Sequence, residues 1–134
     1  MPWIVPAARR RPPDLGLADG HLAACPDSPN CVCSQGADEA HHVEPLRYEG
    51  SAAEARARLL RIVETDPRAE LIAATDDYVH AEYRAMIFLD DVEFYLPAEE
   101  PVVHVRSASR VGHSDLGANR RRVEAIRRLF AKDE

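Results

Sequence analysis

From Glu70 to Ser107 apolar residues recur at every second position, whereas the stretches on either side repeat at helical spacing, and few folds accommodate that order. The period-two segments lie at about 70–75, 78–86, 91–96 and 102–107, separated by Asp76-Asp77, Leu89-Asp90 and a turn from Pro97 to Pro101. Four short strands with short links read as an antiparallel meander. Upstream, Ser51-Ala52-Ala53-Glu54 is a capping box, in which hydroxyl and carboxylate satisfy each other's orphan amides at a helix start. Ala52, Ala55, Leu59, Ile62 and Val63 then share one helical face, and Asp66-Pro67 ends the run because proline disfavours helical geometry in the residue before it. Downstream, a second helix runs from about Asp115 to Lys132, with Leu116, Val123, Ile126 and Phe130 as its apolar stripe and Arg127, Arg128 and Lys132 at its negative dipole end. The order helix, four strands, helix buries its apolar faces best as an α+β two-layer sandwich with both helices on one side of the sheet.

A chain of 134 residues, 46% hydrophobic and 30% charged, is sized for one domain. Residues 1–24 carry four prolines, Arg9-Arg10-Arg11 and no apolar period, which predicts a flexible N-terminal arm, with the single α+β domain over 25–134. Within that domain the Cys- and Pro-rich stretch 25–42 reads as irregular. The net charge of -6 argues against nucleic acid as a partner. No run approaches the ~20 apolar residues of a transmembrane segment. The first residues have their charges after the apolar patch, so they do not make a signal peptide, and Leu22-Ala23-Ala24-Cys25 imitates a lipoprotein box without the hydrophobic segment before it. A cytoplasmic location is the expectation.

Alternation assigns faces to the strands. Val79, Ala81, Tyr83, Val92, Phe94, Leu96, Val103, Val105 and Ser107 point inward. Tyr78, His80, Glu82, Arg84, Asp91, Glu93, Tyr95, His104 and Arg106 point to an outer face left partly to solvent. Closing the Pro97 turn sets Asp91 opposite Arg106 and Glu93 opposite His104, which makes the outer face a ladder of salt bridges. His80, Glu82, Glu93 and His104 include zinc-binding side-chain types, but in no recognised spacing, so no metal site is expected.

The densest polar stretch joins the last strand to the last helix. Arg106, Arg110 and Arg120 converge there with Ser107, Ser109 and the helix-capping Asp115, and can grip a phosphate, sulfate or carboxylate. Equally, Asp90, Asp91 and Asp115 can neutralise these arginines and staple the loop to the sheet. Asn119 falls inside the apolar stripe, between Leu116, Val123 and Ile126, and a buried amide there must bond the loop or a ligand. Cys25, Cys31 and Cys33 allow three readings: a Cys25–Cys31 disulfide, a soft-metal site completed by His41 or His42, or reduced thiols.

Three ordered blocks carry a resemblance. They are Cys25-Pro26-Asp27-Ser28-Pro29-Asn30-Cys31-Val32, then Asp90-Asp91-Val92-Glu93, then Arg106-Ser107-Ala108-Ser109-Arg110-Val111-Gly112 with Ser114-Asp115-Leu116-Gly117 and Asn119-Arg120. Together they resemble the signature of the domain of unknown function 1499 family, from about Cys25 to Phe130. The resemblance implies a small bacterial or plastid domain, often behind an export signal or membrane anchor, with no established activity or catalytic residue. This chain departs from the pattern in having no export segment and in carrying Cys33 where such proteins more usually show serine. Two functional readings remain. The first is a non-catalytic binding or accessory domain that meets a small anion or a protein partner through the arginine-rich loop, without a cofactor. The alternative is a small enzyme with His104 or His113 as general base and Arg106 and Arg110 stabilising negative charge.

Overall fold

The computed structural model describes residues 10–132. Its elements run β1 (Cys31–Cys33), β2 (Leu46–Arg47), α1 (Ala52–Thr65), β3 (Ala69–Ala74), β4 (Tyr78–Ala85), β5 (Phe88–Tyr95), β6 (Val102–Ser109) and α2 (Ala118–Lys132). The class is mixed α+β: two helices and a six-stranded antiparallel sheet in the order β1-β6-β5-β4-β3, with β2 also paired to β6. No helix among the described residues is long and apolar enough to cross a membrane.

The helix α1 starts at the capping box. Ser51 Oγ accepts from the Glu54 N–H at 3.1 Å, and Glu54 Oε1 accepts from the Ser51 N–H at 3.1 Å. Its buried face, Ala55, Leu59, Ile62 and Val63, joins Val123, Ile126 and Phe130 of α2 in one core with Val79, Ala81, Tyr83, Val92, Phe94, Leu96, Val103 and Val105 of the sheet. The inward alternation is therefore the face that both helices share. Arg58 is also buried: its guanidinium lies 4.0 Å from the Phe130 ring centroid, and Nη1 donates to the Phe130 carbonyl at 3.0 Å.

Several local expectations are corrected. The stretch 25–42 is not wholly irregular, since Cys31, Val32 and Cys33 pair with Ala108, Ser107 and Arg106 and so add a strand at the sheet edge. Leu89-Asp90 is strand rather than link: Ala85 pairs with Phe88, and Met86-Ile87 alone turn the chain, with Met86 at φ 59 supplying the left-handed geometry that a two-residue hairpin needs. The β5–β6 register is displaced by two, so that Glu93 faces Arg106, Tyr95 faces His104 and Asp91 faces Ala108. Val102 and Val103 leave that ladder to pair with Arg47 and Leu46. The slip is even, so every side chain keeps its expected face. Helical geometry in α2 begins at Ala118, because Leu116 and Gly117 take φ 54 and 83 while the Asp115 carboxylate accepts the Gly117 and Asn119 N–H groups at 2.8 and 3.0 Å. Leu116, expected in the apolar stripe, is consequently 84% exposed.

The largest correction concerns the outer face. His80, Glu82, Asp91, Glu93 and Arg106 are buried. Residues 10–24 lie against this face: Arg11 Nε donates to Glu82 Oε2 at 2.7 Å, the Gly16 N–H donates to Glu93 Oε2 at 2.7 Å, and Arg106 Nη2 stands 3.7 Å from Asp14 Oδ2. The remainder of the expected arm, residues 1–9, lies outside the described residues.

Asn119 is fully buried and stitches α2 to β6. Its Oδ1 accepts from Ser107 Oγ at 2.6 Å and Arg122 Nη1 at 2.9 Å. Its Nδ2 faces Asp115 Oδ2, Ser109 Oγ and the Asn30 carbonyl at 2.8, 2.9 and 3.2 Å, three acceptors for two hydrogens. Replacing Asn119 by alanine orphans several buried groups at once. Asn119→Ala is expected to lower the unfolding free energy by about 2–3 kcal/mol in urea titrations, and a loss below about 0.5 kcal/mol would contradict the stitch.

Candidate functional site

The outer sheet face concentrates charge because β4 and β5 present acidic side chains at alternate positions on the same side. Arg110, the first residue after β6, reaches across them. Its Nε donates to Asp91 Oδ2 and its Nη2 to Asp91 Oδ1, both at 2.8 Å, and Nη2 also bonds Glu82 Oε2. Asp91 Oδ1 meets His80 Nε2 at 2.7 Å. Burial works to raise the pKa of both carboxyls. Hydrogen bonds from Arg110 and His80 to Asp91, and from Arg11 and Arg110 to Glu82, outweigh it and hold both below the ordinary carboxylate range.

Beside this fork sits a looser pair. Glu93 Oε2 accepts from the Tyr78 hydroxyl and the Gly16 N–H, and burial together with that carboxylate pushes the phenol's pKa strongly upward. Glu93 Oε1, however, has no hydrogen-bond partner, and neither has Arg106 Nε, although both atoms are buried. The Arg106 guanidinium stands 3.7 Å from Glu93 Oε1, 3.7 Å from Asp14 Oδ2 and 3.5 Å from the Ala24 carbonyl, all longer than a good charge-assisted hydrogen bond. A cleft of about 260 Å³ opens here between Pro12 and Asp14 of the arm, Ala24, Cys25 and Pro26, and Arg106, Ser109 and Arg110. Cys25 is disulfide-bonded to Cys31 with a Cα separation of 5.6 Å, while the buried Cys33 is a free thiol whose pKa burial raises. Two of the three cysteines are thus unavailable as metal ligands.

The residues singled out from sequence do not form one site. Ser107, Ser109, Asp115 and Asn119 bond one another inside the fold. Arg110 belongs to the carboxylates and Arg106 to the cleft. Arg120 stands apart, donating to the Ala40 and His42 carbonyls at 2.9 and 2.8 Å. His104 stacks on Tyr95 with centroids 6.5 Å apart, its Nδ1 lies 3.0 Å from Ser34 Oγ, and burial lowers its pKa; His113 is exposed. Among the described residues no three His, Cys, Asp or Glu side chains converge as metal ligands, the set His80, Glu82, Glu93 and His104 included. Sequence reasoning missed Arg11, Asp14 and Asn30, whose Nδ2 donates to the Gly112 carbonyl at 2.7 Å. It also missed Arg122, which pairs with Asp90 at 2.8 Å. Arg122 had a legible signal, standing three residues from Asn119 on the same helix.

The fork generates a pH signature. Asp91 and Glu82 have folded pKa values below their unfolded ones, so their contribution is complete above about pH 5 and disappears as pH falls through the folded values. Arg110→Ala leaves two buried carboxylates without their shared cation, and is expected to cost about 3–5 kcal/mol at neutral pH. The cost should shrink towards about pH 3, where protonated carboxyls no longer need the arginine. Urea unfolding of both proteins across this range checks it; a loss independent of pH would contradict the electrostatic cause.

No curated protein is similar enough to this chain to count as a relative. Residues 21–130 match the family described as protein of unknown function DUF1499, and the chain belongs to that family.

Proposed function

We propose that the protein is a non-catalytic binding domain whose site is the cleft between residues 12–14, the disulfide and β6, with Arg106 as the anchor for a small carboxylate, phosphate or phosphate-bearing partner. The observation that carries this reading is the buried Arg106 Nε without a hydrogen-bond partner, on a guanidinium that stands 3.5 Å from the Ala24 carbonyl and 3.7 Å from Asp14 and Glu93 beside an open cleft. An anion entering from the cleft would supply the short, forked bonds this guanidinium lacks. The remaining residues of the polar loop support it as scaffold: Arg110 with Ser107, Ser109, Asp115 and Asn119 fixes the β6–α2 connection, and Arg120 ties α2 to the 40–42 segment. The Cys25–Cys31 disulfide favours an oxidising compartment over the cytoplasm.

The enzymatic alternative has one observation on its side, the contact between Ser34 Oγ and His104 Nδ1. Ser34 is buried, and its Oγ also accepts the Val105 N–H at 2.8 Å, which ties the hydroxyl to the backbone rather than offering it to a substrate. His113, the other candidate base, is exposed on the loop between β6 and α2.

The test is a titration with inorganic phosphate and acetate followed by amide chemical shifts. Binding should map to the amides around Arg106, Ala24 and Asp14. Arg106→Lys, which keeps the charge and loses the fork, should weaken it about tenfold, while Arg120→Ala leaves it unchanged. Equal affinity in Arg106→Lys, or no binding to the parent, would overturn the reading.

A further inference from the structure

On the helix side of the sheet, away from Arg106, a second and larger cleft of about 540 Å³ lies between the C-terminal end of α1, the β4–β5 hairpin and α2. It shares no lining residue with the first. Its volume falls in the range of small-molecule sites. We propose that this cleft binds a small amphiphilic anion, an apolar body bearing one carboxylate or phosphate, with Tyr83 donating a hydrogen bond to the ligand and arginines at the rim holding its charge.

Tyr83 carries the inference. Tyr83 is 3% exposed, it lines the cleft, and its Oη is buried without a hydrogen-bond partner. An acceptor arriving from the cleft would satisfy a buried hydroxyl that no group of the fold bonds. Burial, with Asp66 nearby, pushes the phenol up to about 12, so the group stays a donor at any physiological pH. The ring is held in place by Arg122, whose guanidinium sits 5.3 Å from its centroid and is itself fixed by Asp90.

The rest of the lining has the two halves an amphiphile needs. Arg122 is paired with Asp90 at 2.8 Å and Arg84 donates to the Pro67 carbonyl at 3.0 Å, so Arg68 and Arg121, set against Asp66, are the lining arginines that face a ligand's charge. Arg121 uses Nη1 on the Leu116 carbonyl at 2.7 Å and keeps further donors. Between the arginines the wall is apolar: Ile62 and Ile126 at depth, then Leu129 and Met86, exposed by 49% and 91%, at the lips. Met86 is a flexible and polarizable side chain suited to closing over an apolar body.

The experiment uses decanoate below its micelle concentration as the probe, with decanol, inorganic phosphate and phosphatidylglycerol vesicles as separate arms, read by calorimetry and amide shifts. Decanoate should bind with shifts at Tyr83, Ala125 and Arg121, decanol at least about tenfold more weakly, and phosphate should not compete. Tyr83→Phe should weaken decanoate about tenfold while the unliganded variant unfolds at the same or a higher urea midpoint, because the change removes an unpaired hydroxyl. A purely structural tyrosine would not separate these two readouts. Arg121→Gln, on the exposed rim, should also weaken decanoate. Absence of decanoate binding, equal affinity in Tyr83→Phe, or binding to vesicles alone, which would indicate a membrane-facing surface instead of a cleft, would each overturn the proposal.

Discussion

The structure depends on the Arg110 fork. Three carboxylates, Glu82, Asp91 and Glu93, are buried on one side of a β-sheet, and a buried carboxylate without a countercharge is among the most expensive things a fold can contain. Arg110 satisfies two of them with one rigid planar group, and it can do so only because β6 ends where it does, with the Arg110 N–H still directed to the Leu89 carbonyl. Fixing the end of β6 in turn fixes the start of the β6–α2 loop, where Ser107, Ser109, Asp115 and Asn119 close a second buried network on the opposite side of the strand. One strand thus separates two polar clusters. The helices and their aliphatic core supply the driving force, and these clusters specify a single arrangement of it.

Much of this was legible in residues alone. The capping box located α1, period-two alternation put Val79, Ala81, Tyr83, Val92, Phe94, Val103 and Val105 in the core but not Val102 or Ala108, and the 100° spacing of α2 put Asn119 among valine and isoleucine, where an amide is required to bond. Faces are legible because they depend on parity, which a slip of two leaves intact. Register is not, because it depends on which strand captures Val102 and Val103, and the two-residue β2 carries too little pattern to announce itself. The start of α2 was misplaced for a local reason: Leu116 fits the apolar stripe in composition, but the Asp115 side chain captures the next amides and forces left-handed geometry before the helix begins.

The outer face shows a deeper limit. Alternating polar residues read as solvent-facing by default, and nothing in β4 or β5 distinguishes an exposed Glu82 from one covered by Arg11. The information lies in the arm, whose prolines and arginines carry no periodic signal, and it becomes readable only when Arg11, Asp14 and Gly16 are seen to complement Glu82, Arg106 and Glu93 one by one. The same covering leaves Arg106 under-bonded and creates the first cleft. The second cleft has an unrelated origin, in the small side chains Ala85, Ala118 and Ala125 that line it together with Tyr83.

The most direct test of the account is a double-mutant cycle between Arg110→Ala and Asp91→Ala, measured by urea unfolding at neutral pH. If the fork is the buried constraint on which the sheet and loop depend, the two losses will be far from additive, with a coupling of at least about 2 kcal/mol. A coupling near zero, the value for ion pairs bathed in solvent, would contradict it.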